Sequence, residues 1–152
     1  MTAVSRIIVV EIEALLPVGA ETDAASHALP AGALETLSRA QHAGARIYLL
    51  TAPLGRSDGA GLDPLLARCE HIGRQLQETG SRLDGALVPE AGDTPEARGA
   101  AALRDLCGRL QCDPVSLELV ACSAPVRAVA GAVGAGRVHE ATGGAFPDLA
   151  PG

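Results

Sequence analysis

The chain has 152 residues, of which 47% are hydrophobic, and its formal net charge is −6. This length fits one domain with a core of its own. Because the chain is acidic and has no basic run, nucleic acid and anionic membranes are poor partners, and no apolar stretch approaches the roughly 18–20 residues that span a bilayer. All 12 basic residues are arginine, so no lysine can serve as a Schiff-base amine or phosphate clamp.

The four cysteines, Cys69, Cys107, Cys112 and Cys122, form no CxxC pair. The N-terminus runs directly into the apolar segment Ile7–Val10 and lacks the features of a signal peptide. We therefore expect reduced thiols and a cytoplasmic location.

Short apolar runs alternate with longer segments of helical period, which is typical of βαβ units and a parallel sheet. The predicted strands are 7–12, 46–50, 86–88, 117–121 and 137–139. The predicted helices cover about 30–43, 63–80, 95–110 and 125–133. This pattern predicts a three-layer, Rossmann-like α/β domain over residues 1–145 without a sizeable cap, followed by a C-terminal tail over 146–152.

Polar residues follow several of the predicted strands. In an open parallel sheet, ligands bind at the carboxyl ends of the strands. This rule selects Glu11 and Glu13, Thr51, residues 90–94, and Cys122 with Ser123. We expect Glu11, Glu13, Thr51 and Cys122 to converge on one crevice, with both glutamates on one face of the first strand because they are two residues apart.

Three segments resemble motifs of the haloacid dehalogenase (HAD) superfamily. Residues 7–16 are similar to the first motif, a hydrophobic strand followed by DxDGT. Residues 43–51 are similar to the second, in which a glycine precedes a strand that ends in Thr or Ser. Residues 119–123 and 128–136 are similar to the fourth, in which GDxxxD precedes a helix and an AxxAG turn. The layout is closest to that of the heptose-bisphosphate and histidinol-phosphate phosphatases.

The resemblance implies phosphoryl transfer by a pair of aspartates, with a Thr or Ser and a lysine that bind the phosphate. By position, Glu11 replaces the nucleophile and Glu13 replaces the acid/base. Thr51 is retained as a phosphate-binding residue. Arg98 or Arg104 is the nearest substitute for the lysine, and we take Arg98 as the candidate.

The resemblance also implies a Mg²⁺ ion held by two aspartates, and Cys122 and Val126 occupy their positions. Mg²⁺ demands octahedral oxygen ligands, so a thiol and a valine cannot replace two carboxylates, and we expect weak or absent Mg²⁺ binding and no cofactor. Glutamate at position 11 moves the attacking oxygen by more than about 1 Å, and a displacement of that order can cost ~10²-fold in rate. We expect Cys122 to behave as a small buried hydrophobic residue.

These departures favour a catalytically degenerate HAD-fold protein that acts by binding a partner protein or a phosphorylated metabolite. One alternative is a surviving phosphatase that acts on small phosphorylated sugars such as heptose bisphosphate. Another is an unrelated Rossmann-like binding module. Strand order distinguishes the last of these, since the HAD order places the Glu11 strand between the Thr51 and Cys122 strands.

Overall fold

The computed structural model describes residues 6–15, 29–30, 32–51, 63–88, 94–141 and 146–149. Within these residues the chain forms a parallel sheet of five strands, which are β1 (Ile7–Glu11), β2 (Arg46–Leu50), β3 (Gly85–Leu87), β4 (Leu117–Ala121) and β5 (Arg137–Glu140). The α-helices of the described part are α1 (Ala33–His42), α2 (Asp63–Glu78), α3 (Pro95–Leu110) and α4 (Ala124–Val133). The predicted α/β class and parallel sheet are confirmed.

The strand order is β3-β2-β1-β4-β5, so β1 lies at the centre of the sheet. Ile7 is in register with Arg46 of β2 on one side and with Leu117 of β4 on the other. All five residues of β1 are buried, and four of them, Ile7–Val10, form the continuous apolar run that is typical of a strand covered on both faces of its sheet. The Glu11 strand therefore lies between the Thr51 and Cys122 strands, as the HAD order requires.

Side-chain alternation along β1 divides the core into two layers. Ile8 and Val10 pack in the layer that contains α1 and α2 residues. Ile7 and Val9 pack in the layer that contains α3 and α4 residues. Among the described residues, no helix is both long enough and apolar enough to cross a membrane.

The helix starts depend on local backbone chemistry. The α3 helix starts as predicted, because the Thr94 hydroxyl oxygen accepts a hydrogen bond of 3.0 Å from the Ala97 N–H and Pro95 occupies the first helical position. The α1 helix starts three residues later than predicted. The residue before it, Gly32, has a φ of 81°, and this left-handed conformation cannot be part of a right-handed helix.

A charged cluster ties the C-terminal segment to the sheet. The Arg6 guanidinium donates hydrogen bonds of 2.7 and 2.8 Å to the two carboxylate oxygens of Glu118, and His139 Nε2 lies 3.1 Å from Glu118 Oε1. Arg6 Nη2 also donates to the Leu149 carbonyl oxygen at 2.9 Å, and Leu149 itself is buried among core residues from α1 and α2. The described part of the tail thus packs on the domain, while the domain boundary at 145 stays a prediction.

The Glu118 carboxylate is the acidic centre of this cluster. Hydrogen bonds from Arg6 lower its pKa below the ordinary value of 4.5, although burial acts in the opposite direction. A depressed pKa in the folded state contributes stability above the unfolded pKa, and this stability is lost as the pH falls through the folded pKa.

We predict that Glu118→Gln lowers the free energy of unfolding by roughly 2 kcal/mol at pH 7, because it removes the carboxylate that accepts two hydrogen bonds from the half-buried Arg6. The difference between wild type and variant should shrink as the pH falls from about 4.5 towards the folded pKa of Glu118. Urea unfolding across this pH range measures both quantities. A difference that stays constant from pH 7 into the acid range would contradict the prediction.

Candidate functional site

Three of the predicted site residues, Glu11, Thr51 and Cys122, lie at the carboxyl edge of the sheet. Glu11 is the last residue of β1 and is in register with Leu50, the residue before Thr51. On the other side of β1, Cys122 follows directly after β4. The predicted residues 90–93 lie outside the described part of the chain, while Thr94 caps α3.

The Glu11 carboxylate is directed into the turn between β4 and α4. Its Oε1 accepts hydrogen bonds from the backbone N–H of Cys122 at 2.7 Å and of Ser123 at 3.1 Å. Its Oε2 accepts a hydrogen bond of 2.7 Å from the Ser123 hydroxyl. Glu11 is only 2% exposed, so both oxygens are engaged by the protein itself and are withdrawn from solvent.

These donors lie at the N-terminus of α4, where Ser123 is the N-cap residue. Free backbone N–H groups and the helix dipole favour a negative charge at such a position. The first turn of α4 contains no acidic residue, and the negative charge is supplied by Glu11 of the neighbouring strand β1. The turn between β4 and α4 is thereby held by a carboxylate of the chain.

The two glutamates do not share a face of β1, and that prediction is wrong. The strand ends at Glu11, and Ile12–Ala14 form a short 3-10 helix, so Glu13 is not a strand residue and strand alternation does not place its side chain. Glu13 forms an ion pair with Arg68 of α2, with Oε2 and Nη2 3.6 Å apart.

The Glu13–Arg68 pair is largely shielded from solvent, with side chains 15% and 5% exposed. Burial raises the pKa of the Glu13 carboxyl, the Arg68 charge acts against this increase, and the charge of Glu11 adds to it. Sequence reasoning missed Arg68. It lies in a helix beyond residues 52–62, and nothing in the helical pattern marks it as a residue that reaches Glu13.

The two arginines that the sequence suggested lie on α3. Arg98 is half-buried in the first turn of that helix, and its phosphate-binding role stays a prediction. Arg104 is exposed further along, and its Nη2 donates to the Ala132 carbonyl oxygen of α4 at 3.2 Å. Arg104 therefore links the two helices on that face of the sheet.

Thr51 is buried beside β3. Its hydroxyl donates a hydrogen bond of 2.7 Å to the Leu87 carbonyl oxygen, which also accepts from the Thr51 backbone N–H at 3.0 Å. The hydrogen bond from the Thr51 hydroxyl thus joins the ends of β2 and β3. A phosphate-binding role for Thr51 stays a prediction.

Cys122 and Val126 provide no oxygen ligands for a magnesium ion. Burial, followed by the charge of the adjacent Glu11, raises the pKa of the Cys122 thiol to about 12, so the thiol is protonated at neutral pH. Val126 is 1% exposed and packs in the α3/α4 layer.

The donor chemistry of the described part of the site does not fit Mg²⁺. The ion would meet a protonated thiol, a valine and a carboxylate whose two oxygens already accept three hydrogen bonds. Among the described residues, no group of three or more His, Cys, Asp or Glu side chains is arranged to hold a metal ion.

We predict that Glu11→Gln lowers the free energy of unfolding by about 2 kcal/mol, because hydrogen bonds to a charged group contribute about 1.5–3 kcal/mol. The glutamine keeps one carbonyl oxygen for the two backbone N–H groups but replaces the second acceptor by an NH₂ group. Urea unfolding at pH 7 measures the change.

The matched control for this variant is Glu140→Gln, which removes an exposed carboxylate whose Oε1 lies 2.8 Å from Arg127. Since exposed ion pairs contribute about 0–1 kcal/mol, the control should unfold close to wild type. Equal losses of stability in the two variants would show that the Glu11 contacts contribute no more than a surface ion pair.

Comparison with known proteins gave matches among solved structures. No protein-family model matches the sequence, and no curated protein matches it. D,D-heptose 1,7-bisphosphate phosphatase from Burkholderia thailandensis superposes with a TM-score of 0.61 at 20% identity, over 86% of this chain and 74% of that one. The corresponding enzyme from B. bronchiseptica, solved with magnesium and phosphate, gives a TM-score of 0.64 at 22% identity, over 87% and 78%.

A third solved structure comes from Mesorhizobium loti and is assigned to the HAD-like phosphatases. It superposes with a TM-score of 0.68 at 15% identity, over 92% of this chain and 72% of that one. Identities this low establish a shared fold and leave the chemistry to be argued from the site. The chain therefore has the fold of the HAD-like phosphatases.

Proposed function

We propose that this protein is a phosphatase-like protein without Mg²⁺-dependent phosphatase activity and that it acts by binding a partner protein. The observation that carries the proposal is the burial and hydrogen bonding of the Glu11 carboxylate. An attacking carboxylate must present a free oxygen to phosphorus, whereas both oxygens of Glu11 accept hydrogen bonds from Cys122 and Ser123 and the residue is 2% exposed.

The charges of the crevice support the same proposal. A phosphate dianion that entered it would approach Glu11 and Glu13. Among the described residues, Arg68 lies beside Glu13 and is already paired with that carboxylate. Removal of one preorganised electrostatic contact costs ~10²–10³ in rate, and here both the lysine and the ligands for a metal are replaced. Several such losses together bring the expected rate close to background.

The contacts of Glu11 also favour a protein partner over a phosphorylated metabolite. Backbone N–H groups at a helix N-terminus are a common phosphate-binding element. Here those of Cys122 and Ser123 are occupied by the Glu11 carboxylate. A phosphate group would have to displace a covalently tethered anion that is already in place.

A surviving phosphatase is the second candidate, and the likeness to two D,D-heptose 1,7-bisphosphate phosphatases favours it. It requires Glu11 to leave its three donors and attack phosphorus. The two candidates differ in the activity of the unmodified protein.

We predict that the purified protein hydrolyses p-nitrophenyl phosphate and D,D-heptose 1,7-bisphosphate no faster than buffer, with or without Mg²⁺. The enzyme from B. bronchiseptica serves as the positive control under the same conditions. Glu11→Gln should leave the background rate unchanged. Mg²⁺-dependent turnover that Glu11→Gln abolishes would refute the proposal and establish the surviving phosphatase.

A second prediction concerns the anion site. The midpoint of thermal unfolding of the wild-type protein should be the same in inorganic phosphate as in chloride of equal ionic strength. In Glu11→Ala the amides of Cys122 and Ser123 lose their acceptor, so phosphate should raise the midpoint of that variant. The matched control is the double variant Glu11→Ala/Ser123→Ala, which lacks one of the three donors and should respond less.

Thermal unfolding followed by circular dichroism measures these shifts. A phosphate-dependent rise in wild type as large as that in Glu11→Ala would mean that Glu11 does not occupy the anion site. A phosphorylated metabolite would then become the favoured ligand.

A further inference from the structure

The C-terminal end of α3 has a backbone geometry that brings two cysteines together. Gln111 follows the helix in a left-handed conformation, with φ 54° and ψ 50°. The Cys112 N–H donates to the Cys107 carbonyl oxygen at 3.0 Å, and the Gln111 N–H donates to the Gly108 carbonyl oxygen at 3.3 Å. These two hydrogen bonds define a Schellman motif.

A Schellman motif commonly places the side chains of its first and last residues in contact. Here those residues are Cys107 and Cys112. Cys107 is 5% exposed within the α3/α4 layer, and Cys112 is half-buried against the same layer. Burial, with a hydrogen bond to the Cys112 thiol, raises the pKa of the Cys107 thiol to about 11. Both residues are thiols in the structure.

We propose that Cys107 and Cys112 form a reversible intramolecular disulfide, a redox site separate from the Glu11 crevice. The α3 helix begins after the carboxyl end of β3, so its C-terminal end lies towards the amino ends of the strands. Cys69 and Cys122 pack against the α1/α2 layer, on the other face of the sheet from Cys107. The fold therefore selects one pair among the four thiols.

The oxidant is a small disulfide such as oxidised glutathione. The Cys112 thiolate, as the more exposed of the two, attacks one glutathione sulfur, which forms a mixed disulfide and releases one glutathione thiolate. The Cys107 thiolate then attacks the Cys112 sulfur and releases the second. The two cysteines lose two electrons and two protons in total, and one oxidised glutathione becomes two reduced glutathiones.

The backbone hydrogen bonds of the motif hold the reacting side chains together before oxidation. The second step is therefore intramolecular between groups already in contact, and effective concentrations for such steps are high. Unfolding breaks the Schellman motif and removes this advantage. The folded protein should consequently be oxidised at a lower ratio of oxidised to reduced glutathione than the unfolded chain.

The test equilibrates the full-length protein in glutathione buffers without oxygen, traps the remaining thiols by alkylation, and identifies links by peptide mass spectrometry. The expected product has lost two hydrogen atoms and contains a Cys107–Cys112 link, with Cys69 and Cys122 alkylated. Cys112→Ser should keep a free Cys107 and form no intramolecular link.

Cys69→Ser/Cys122→Ser permits the comparison of folded and urea-unfolded protein without competing pairs. The folded double variant should contain several-fold more of the Cys107–Cys112 link at a given glutathione ratio. An equal or smaller fraction in the folded state would overturn the proposal. So would a native protein that accumulates glutathione on Cys112 without closing the ring.

Discussion

The carboxyl edge of this sheet depends on the hydrogen bonds that the Glu11 carboxylate accepts. This carboxylate lies at the end of the central strand and accepts three hydrogen bonds of 2.7 to 3.1 Å from the turn between β4 and α4. A buried carboxylate must have such donors, because an isolated charge withdrawn from water is strongly destabilising. The turn in return obtains an acceptor for two backbone N–H groups that the helix cannot pair.

The layout of this edge is similar to that of a phosphatase site, and the proposed absence of phosphatase activity rests on the contacts of its side chains. At the same edge of the sheet the chain retains a carboxylate after β1, a threonine after β2 and a helix N-terminus after β4. Their hydrogen-bonding groups, however, are directed at one another: Glu11 binds Ser123, Thr51 binds the Leu87 carbonyl oxygen, and Glu13 pairs with Arg68. In the described part of the site these groups are therefore satisfied within the protein, which is the property that the proposed absence of phosphatase activity requires.

The frame could be predicted from the sequence because it depends on local patterns. The apolar runs of β2 and β4 begin and end at the predicted residues, since each is bounded by polar or turn-forming residues. The order of the strands followed from motif positions. The start of α1 was misplaced because the left-handed backbone of Gly32 depends on the path of the chain rather than on helical periodicity.

The contacts of the site could not be predicted, because they join residues far apart in the sequence. Arg68 lies 55 positions after Glu13, and the Glu11–Cys122 contact spans 111 positions. Glu13 also lies in the 3-10 helix that follows β1, so the alternation of a strand does not apply to it. The position of Cys122 before a helix would favour a thiolate, yet burial and Glu11 raise its pKa instead.

Amide hydrogen exchange at Cys122 and Ser123, measured by NMR, tests the role of Glu11 most directly. Exchange requires the N–H to leave its acceptor, so a carboxylate that holds both amides should protect them. The account predicts slow exchange at both amides in wild type and fast exchange at both in Glu11→Ala. Fast exchange in the wild-type protein would contradict it, because the carboxylate of Glu11 would then be free to face the crevice.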